Sequence, residues 1–205
     1  YCTISPRSDK KINVRSLDLG MMEKWWANGD MFHYDGNLDL IKAVLNHFDV
    51  EQGFDMFLHC DAPPGSGLGS SSTVIVSIIG AMAEWLREPL SQYDIANLAY
   101  VLEREELGLA GGKQDQYAAV FGGFNFMEFS HSRAIVTPLR VKANILNELH
   151  YSLLLGNTGK TRESSGIIAS QVDGYRRKEG MVVEALDNTK RLAIETKDAL
   201  LRGNI

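Results

Sequence analysis

The sequence has 205 residues, 44% of them apolar and 23% charged, which suits one large folded domain or one domain and part of a second. Its formal net charge is −5 and it has no block of lysine or arginine, so we expect neither general nucleic-acid binding nor membrane-surface binding, and an anionic ligand has to be bound locally. Two widely spaced cysteines, and no apolar run near the ~20 residues of a membrane span, make the cytoplasm the expected location.

The first part of the chain predicts three strands and a helix. Apolar periodicity predicts strands at residues 1–6, 11–17 and 54–58 and a helix over residues 37–48. Residues 21–34 show no clear period and are expected to be irregular. Because the first strand begins without an initiator methionine or a preceding turn, we expect an N-terminal portion of the sheet to be missing.

Four aromatic residues occupy the irregular segment, and two interpretations are open for them. They are Trp25, Trp26, Phe32 and Tyr34. They could line a pocket for an adenine ring, or they could form a small hydrophobic plug beneath a loop.

The most informative stretch lies between the predicted strand at 54–58 and a predicted helix over residues 71–86. It reads Asp-Ala-Pro-Pro-Gly-Ser-Gly-Leu-Gly-Ser-Ser-Ser-Thr from residue 61 to residue 73. Glycines can take positive φ and let backbone N–H groups approach a bulky anion at a helix start. A flexible turn with a serine N-cap is the alternative, but the two prolines and the anchoring leucine favour a shaped loop. We therefore predict a phosphate site formed by Pro64, Gly65, Ser66, Gly67, Leu68, Gly69, Ser70, Ser71 and Ser72.

A second helix, predicted over residues 91–107, ends in several carboxylates. The negative end of the helix dipole disfavours them there. At about 100° per residue, Glu103 falls at the margin of the apolar stripe and Glu106 falls near its centre. We therefore expect a cation nearby. Either Arg104 or Lys113 in a structural network, or a bound metal ion, would supply it.

Asp115 follows a flexible Leu-Ala-Gly-Gly-Lys loop and lies in the first turn of a short helix that is predicted to end at Gly122. Taken alone, an aspartate in this position is usually a helix cap. Two strands are predicted next, at residues 124–129 and 134–139. The five histidines show neither zinc-ligand spacing nor a Ser/His/Asp order.

A second domain is predicted to begin after residue 140, which divides the chain into residues 1–140 and residues 141–205. It is expected to contain a strand at residues 151–155 and helices at residues 162–172 and 180–202.

The loop between that strand and the next helix resembles a P-loop only in part. Two residues separate Gly156 from Gly159, whereas the motif needs four between its first glycine and its Gly-Lys pair. Nucleotide binding through Lys160 is therefore the rejected alternative. The hydroxyl groups and cations at this helix start still predict an anion-binding corner, formed by Thr158, Gly159, Thr161 and Arg162.

Residues 63–72 resemble the second signature of the GHMP kinases, the small-molecule kinases named after galactose, homoserine, mevalonate and phosphomevalonate. Downstream, Glu103-Arg104 and Gln114-Asp115-Gln116-Tyr117 are similar to the acidic pair of the sugar-kinase members. The first and third signatures of the family are absent, and Ser72 stands where alanine is commoner. The resemblance implies an α+β two-domain sandwich, with a first half like ribosomal protein S5 domain 2 and a ferredoxin-like second half, both incomplete here.

The resemblance also implies roles for the matching residues. The glycine loop would grip the phosphates of ATP, Ser71 and Glu103 would hold Mg²⁺, and Asp115 would orient the acceptor hydroxyl and take its proton. The implied reaction is phosphoryl transfer from MgATP to a sugar. Two alternatives stay open: Glu106 rather than Glu103 could help to hold the metal, and the protein could be a non-catalytic sugar and nucleotide sensor of the same fold.

Two runs, residues 109–125 and 158–165, resemble kinases of D-glycero-D-manno-heptose 7-phosphate in bacterial surface-polysaccharide synthesis. A substrate that already bears a phosphate needs a cationic pocket, which Arg162 could supply. Alternatively, Arg162 pairs with Glu163 or Asp173 on the surface. The expected reaction gives the 1,7-bisphosphate, with L-fucose or another unphosphorylated sugar as the alternative acceptor. The expected partner is a small sugar phosphate, and a homodimer stays open.

Overall fold

A computed structural model describes residues 1–62, 65–131, 133–156 and 165–204. The chain divides into two compact units, Tyr1–Val120 and Phe121–Ile205. The division predicted after residue 140 is a different one and stays a prediction. No helix in the described ranges is both long enough and apolar enough to cross a bilayer.

The first unit contains a four-stranded sheet whose spatial order is β1-β4-β2-β3. Its strands are β1 (Cys2–Pro6), β2 (Lys11–Ser16), β3 (Met21–Trp26) and β4 (Phe54–Leu58). β4 pairs antiparallel with β1 and parallel with β2, and β2 pairs antiparallel with β3. The last strand in the chain, β4, therefore lies inside the sheet, and β3 lies at its edge.

β3 corrects the expectation of irregular structure for residues 21–26, whereas residues 27–34 contain neither helix nor strand, as expected. Its sequence, Met-Met-Glu-Lys-Trp-Trp, puts two apolar residues and one charged residue on each face of the strand. Because apolar and polar residues do not alternate, the usual period-two signal is missing. Pairing with β2 determines the conformation of this segment.

Helices cover one face of the sheet and form the core with it. They are α1 (Asp39–Phe48), α2 (Ser70–Leu86) and α3 (Gln92–Tyr100). The core includes Ile12, Val14, Phe54, Met56, Ile41, Val44, Leu45, Ile75, Ile78, Ile79 and Met82. Each such side chain contributes about 1.5–3 kcal/mol on burial. This packing holds the first turn of α2, and with it the end of the glycine loop, in a fixed place.

The single helix predicted over residues 91–107 is instead α3 followed by a π-helical segment, Val101–Glu106. α3 begins with a capping box, in which the Ser91 hydroxyl accepts from the Asp94 N–H at 3.2 Å and the Asp94 carboxylate accepts from the Ser91 N–H at 2.9 Å. At the end of the π-helical segment the Leu107 N–H donates to the Leu102 carbonyl, five residues back, at 3.1 Å.

The wider turn reverses the expected burial of the two glutamates. Glu103 is 1% exposed, whereas Glu106 is exposed. The expectation that Glu106 lies nearer the centre of the apolar face was wrong, because it assumed α-helical rotation through a segment that has a larger turn.

The remaining elements are α4 (Gln114–Phe121), β5 (Asn125–Phe129), β6 (Ala134–Pro138), α5 (Ala143–Ser152), α6 (Ser165–Arg176) and α7 (Gly180–Arg202). β5 and β6 form an antiparallel pair. The predicted strand at 151–155 was wrong: α5 continues to Ser152, and the Leu153 N–H donates to the Leu149 carbonyl at 3.0 Å. The predicted start of α6 at residue 162 lies outside the described residues.

Candidate active site

The glycine loop leads into the N-terminus of α2. Gly65, Gly67 and Gly69 have φ of +71°, +76° and +70°, a conformation that glycine adopts without steric cost. The Thr73 N–H donates to the Gly69 carbonyl at 3.0 Å and so makes the first hydrogen bond of the helix. The N–H groups of residues 70–72 precede the helical ladder and can bind an anion.

Leu68 does not anchor the loop as expected, because its side chain is 56% exposed. The loop takes its shape from the three left-handed glycines instead. Pro64, the first residue predicted for the phosphate site, lies outside the described residues, as does Pro63.

Three side chains donate hydrogen bonds to the buried carboxylate of Glu103. The Ser71 hydroxyl donates to Oε1 at 2.5 Å, and the Ser72 hydroxyl donates to Oε2 at 2.8 Å. Nε2 of Gln116 donates to Oε2 at 2.6 Å, and Nη2 of Arg104 lies 3.5 Å from Oε1. Partners of this kind are what a carboxylate needs when it is removed from water.

Ser71 and Glu103 provide an oxygen pair of the kind that Mg²⁺ takes in proteins. Neighbouring ligands of an octahedral Mg²⁺ lie about 2.9 Å apart, and the Ser71 Oγ and Glu103 Oε1 atoms lie 2.5 Å apart. The pair therefore fits one shared ion after a small opening. Within the described ranges no cluster of three or more histidine, cysteine or acidic residues forms a metal site, so phosphate and water oxygens would complete the coordination.

Asp115 lies beside the glycine loop, on the first turn of α4. A Cβ atom placed on Gly69 would lie 3.6 Å from Cγ of Asp115. Asp115 is exposed, whereas the next residue, Gln116, is fully buried. The first turn of α4 thus directs the Asp115 side chain to the glycine loop and the Gln116 side chain to Glu103.

Arg104 connects Glu103 to the loop at residues 109–113. Its Nη1 donates to the Ala110 carbonyl at 3.0 Å, and its guanidinium carbon lies 2.4 Å from where a Cβ atom of Gly111 would be. Lys113, the other cation expected near Glu103, has its ammonium 4.6 Å from the centre of the Tyr100 ring. Arg104 is therefore the one of the two that approaches Glu103.

A cavity of about 620 Å³ opens next to the glycine loop. Gly65, Ser70 and Ser71 form one side of it, and the rest of its wall is mainly apolar, with Leu38, Val74 and Leu107 among its residues. This size is typical of a pocket for a small organic ligand.

The four aromatic residues Trp25, Trp26, Phe32 and Tyr34 were expected either to line a pocket for an adenine ring or to form a hydrophobic plug, and they do not all lie in one place. Tyr34 borders the cavity, and its hydroxyl donates to the Glu106 carboxylate. Burial, and then this carboxylate, raise the pKa of Tyr34. Trp25 and Phe32 pack against each other, with 5.3 Å between ring centres, and against the core. They form the hydrophobic plug, while Trp26 is exposed on β3.

The residues predicted for the sugar phosphate, Thr158, Gly159, Thr161 and Arg162, lie outside the described residues, as does Lys160. Conversely, Gln116 was not singled out from the sequence. Its position directly after Asp115 in a short helix was the one available signal, and its partner Glu103 is distant in the chain.

Known proteins share both the sequence and the fold of this chain. Residues 38–123, which include the glycine loop, Glu103 and Asp115, match the family of the GHMP kinases N terminal domain. A D-glycero-alpha-D-manno-heptose 7-phosphate kinase of Campylobacter jejuni is 41% identical over 210 residues, which covers 100% of this chain and 61% of that protein. An L-fucokinase/L-fucose-1-P guanylyltransferase of Bacteroides fragilis is 26% identical over 226 residues, which covers 98% of this chain and 24% of that protein.

The crystal structure of a D-glycero-D-manno-heptose 1-phosphate kinase from Bacteroides thetaiotaomicron matches with a TM-score of 0.84 at 39% identity, over 99% of this chain and 61% of that one. The chain thus spans 61% of the length of either heptose phosphate kinase. The α+β fold expected from the glycine-loop signature is confirmed. The chain belongs to the GHMP kinase family, and its residues 38–123 are part of the N-terminal domain of that family.

Proposed function

We propose that the protein is a sugar kinase that transfers the terminal phosphoryl group of ATP to a hydroxyl of a heptose phosphate. The observation that carries the proposal is the convergence of the glycine loop, the buried Glu103 and the exposed Asp115 at one place. Phosphoryl transfer needs an anion cradle, charge neutralisation and a group that orients the acceptor. The three features can each meet one of these needs.

The loop and the first turn of α2 would bind the phosphates of ATP. The N–H groups of residues 70–72 and the positive end of the α2 dipole favour an anion. Gly65 and Gly67 leave room for the backbone to approach it. The apolar cavity shares Gly65, Ser70 and Ser71 with the loop, and we expect it to take the adenosine end of the same molecule.

Ser71 and Glu103 would hold Mg²⁺, since they form the oxygen pair described above. The ion, when bound, neutralises charge on the phosphates. Glu103 is favoured over Glu106 for this role, because Glu106 is bonded to Tyr34 and lies on the exposed side of the π-helical segment.

Asp115 would orient the acceptor hydroxyl and take its proton. Its side chain is exposed and can be reached by a substrate, and it lies so close to Gly69 that a Cβ atom there would be 3.6 Å from its Cγ. A group of this kind typically contributes about 10²–10⁴-fold in rate.

For the acceptor, we propose the anomeric hydroxyl of D-glycero-D-manno-heptose 7-phosphate, which gives the 1,7-bisphosphate used in bacterial surface-polysaccharide synthesis. The relatives at 41% and 39% identity support a heptose phosphate. Thr158, Gly159, Thr161 and Arg162 are proposed, on sequence grounds, to bind the phosphate that the sugar already carries.

A substrate panel with the full-length protein tests the acceptor. Initial rates with MgATP are measured for heptose 7-phosphate, heptose 1-phosphate and L-fucose. Arg162→Ala should lower kcat/KM for the sugar phosphate by about 10- to 150-fold, the equivalent of ~1.5–3 kcal/mol for a charge-assisted contact. It should change the rate with a neutral sugar little.

Arg177→Ala is the matched control, since Arg177 pairs with Asp173 at the surface. Phosphorylation of L-fucose but of neither heptose phosphate would overturn the acceptor and keep the kinase. Binding heat with ATP and sugar but no ADP would favour the sensor instead.

A further inference from the structure

The proposed reaction leaves one buried polar side chain at the site without a role. Gln116 is fully buried, and its Nε2 donates to Oε2 of Glu103 at 2.6 Å. Its Oε1 atom is also buried and has no hydrogen-bond partner within the described residues. Since a buried amide normally satisfies both of its ends, this side chain is placed for the bond to Glu103 at a cost to its own solvation.

The bond to Gln116 restricts the orientation of the Glu103 carboxylate. The last torsion of a glutamate is broad, so a carboxylate with one partner can turn about it. Here Oε2 accepts from two donors on different helices, Ser72 on α2 and Gln116 on α4. With Oε2 fixed in this way, Oε1 is left facing the Ser71 hydroxyl.

We infer that Gln116 is a positioning residue, which holds the Glu103 carboxylate so that its Oε1 and the Ser71 hydroxyl form the Mg²⁺ pair. The inference rests on the proposed function. Residues that support a metal ligand from behind commonly change metal affinity or activity by about 10- to 100-fold when they are removed. Gln116 also follows Asp115 directly. Its bond to Glu103 therefore holds the turn of α4 that carries Asp115 at a fixed distance from the Glu103 carboxylate.

The test is calorimetric titration of ATP into the full-length protein, in excess Mg²⁺ and, separately, in EDTA. The ratio of the two affinities measures the contribution of the metal without any turnover. Gln116→Met keeps the approximate size of the side chain and removes the donor. Gln114→Met is the matched control, because Gln114 is the same residue type in the same helical turn and is exposed.

We expect Gln116→Met to leave the affinity in EDTA unchanged and to lower the Mg²⁺ enhancement by about tenfold, the lower end of the range because Ser72 still bonds Oε2. Gln114→Met should keep the wild-type ratio. If Gln116→Met keeps the wild-type ratio, whether ATP affinity is unchanged or falls equally in both buffers, the inference is overturned while the kinase proposal stays intact. If the wild-type protein binds ATP neither in Mg²⁺ nor in EDTA, the kinase proposal is overturned, and the inference with it.

Gln116→Asn covers the case in which Gln116→Met does not fold. It keeps a buried amide, but its side chain is about 1.5 Å shorter, so the bond to Glu103 is lost. It should lower the same ratio, with a circular dichroism spectrum like that of the wild type. A wild-type ratio for a folded Gln116→Asn would count against the positioning role.

Discussion

Asp115 and Gln116 are consecutive residues whose side chains face opposite environments, and the difference predicts opposite sensitivities. Asp115 is exposed and lies beside Gly69, so its substitution should affect chemistry and spare the fold. Gln116 is fully buried, so its substitution acts through Glu103 and through packing. Measuring both the free energy of unfolding and kcat for each variant can separate an effect on chemistry from an effect on packing.

Replacing Asp115 with asparagine should lower kcat by about 10²–10⁴-fold, because the amide keeps the shape of the side chain but cannot take a proton. The midpoint temperature of thermal unfolding should stay within about 1 °C of the wild-type value, and ATP affinity should change little. Initial rates at saturating ATP and sugar provide the measurement. A variant that keeps more than about a tenth of the wild-type kcat would show that Asp115 is not the base, since that loss is under about 1.4 kcal/mol.

The glycine loop and the carboxylates around Glu103 belong to local patterns with a chemical meaning of their own, whereas Asp115 was indicated only by the resemblance to the GHMP kinases. Gln116 shows where that approach ends, because its importance depends on a carboxylate that the fold brings to it. Arg104 was expected as a cation near Glu103, but its hydrogen bond to the 109–113 loop was not expected. The position of Gln116 next to Asp115 was the one signal that the sequence offered for it.

At the scale of elements, the π-helical segment Val101–Glu106 has the largest effect on the site. It turns Glu103 toward Ser71 and leaves Glu106 on the exposed side, near Tyr34. Apolar periodicity could not predict it, because the segment departs from the helical period that the method assumes. β3 was missed for a related reason, because its apolar residues do not alternate with polar ones. α5 is different: Ile145, Leu146 and Leu149 do recur at helical spacing, and that signal was not used.

The loop at residues 109–113 offers a matched pair of glycine substitutions. A methyl group on Gly111 would lie 2.4 Å from the Arg104 guanidinium carbon, whereas one on Gly112 would meet nothing within 4 Å. Gly111→Ala should therefore displace Arg104 and lower the free energy of unfolding by about 0.5–3 kcal/mol. Gly112→Ala should change it by less than about 0.5 kcal/mol.

Urea denaturation of both variants measures these changes. ATP affinity in Mg²⁺ should fall for Gly111→Ala alone, since Arg104 also approaches Glu103. Equal effects of the two substitutions would argue that Arg104 does not hold the loop.

At the scale of the whole molecule, the fold class was predictable from the sequence. The family signature implied an α+β fold, and the match to a known heptose phosphate kinase structure bears this out. The chain divides into two compact units between Val120 and Phe121. Apolar patterning does not report such a boundary, because it falls inside α4, one residue before the end of the helix.

Stability of the first unit should depend on pH through Asp55, on the central strand β4. Asn13 donates to its carboxylate at 2.6 Å and Arg7 at 3.0 Å. The hydrogen bond from Asn13, followed by the contacts with Arg7, lowers the pKa of Asp55 from its ordinary value of 3.8. A lowered pKa stabilises the folded state above the ordinary value, and this contribution is lost as the pH falls through the folded-state pKa.

Asp55→Asn should therefore make the free energy of unfolding less dependent on pH between about pH 5 and pH 2. Chemical denaturation at a series of pH values measures the slope. Glu51→Gln, which changes an exposed carboxylate near the start of β4, is the control. If both variants show the same slope, the Asp55 contacts do not contribute to acid sensitivity.

The place of β4 in the middle of the sheet has a consequence for the order in which the protein folds. β2 and β3 are adjacent in the chain and can pair at once, but β4 has to return across a long loop, since Asn13 and its partner Asp55 are 42 residues apart. Closing such a loop costs entropy before the new contacts stabilise it. β1 pairs with β4 among the described strands, so it must wait for β4 to arrive. In a pulse-labelling hydrogen-exchange experiment, the amides of β1 should gain protection after those of β2 and β3, although β1 comes before both in the chain.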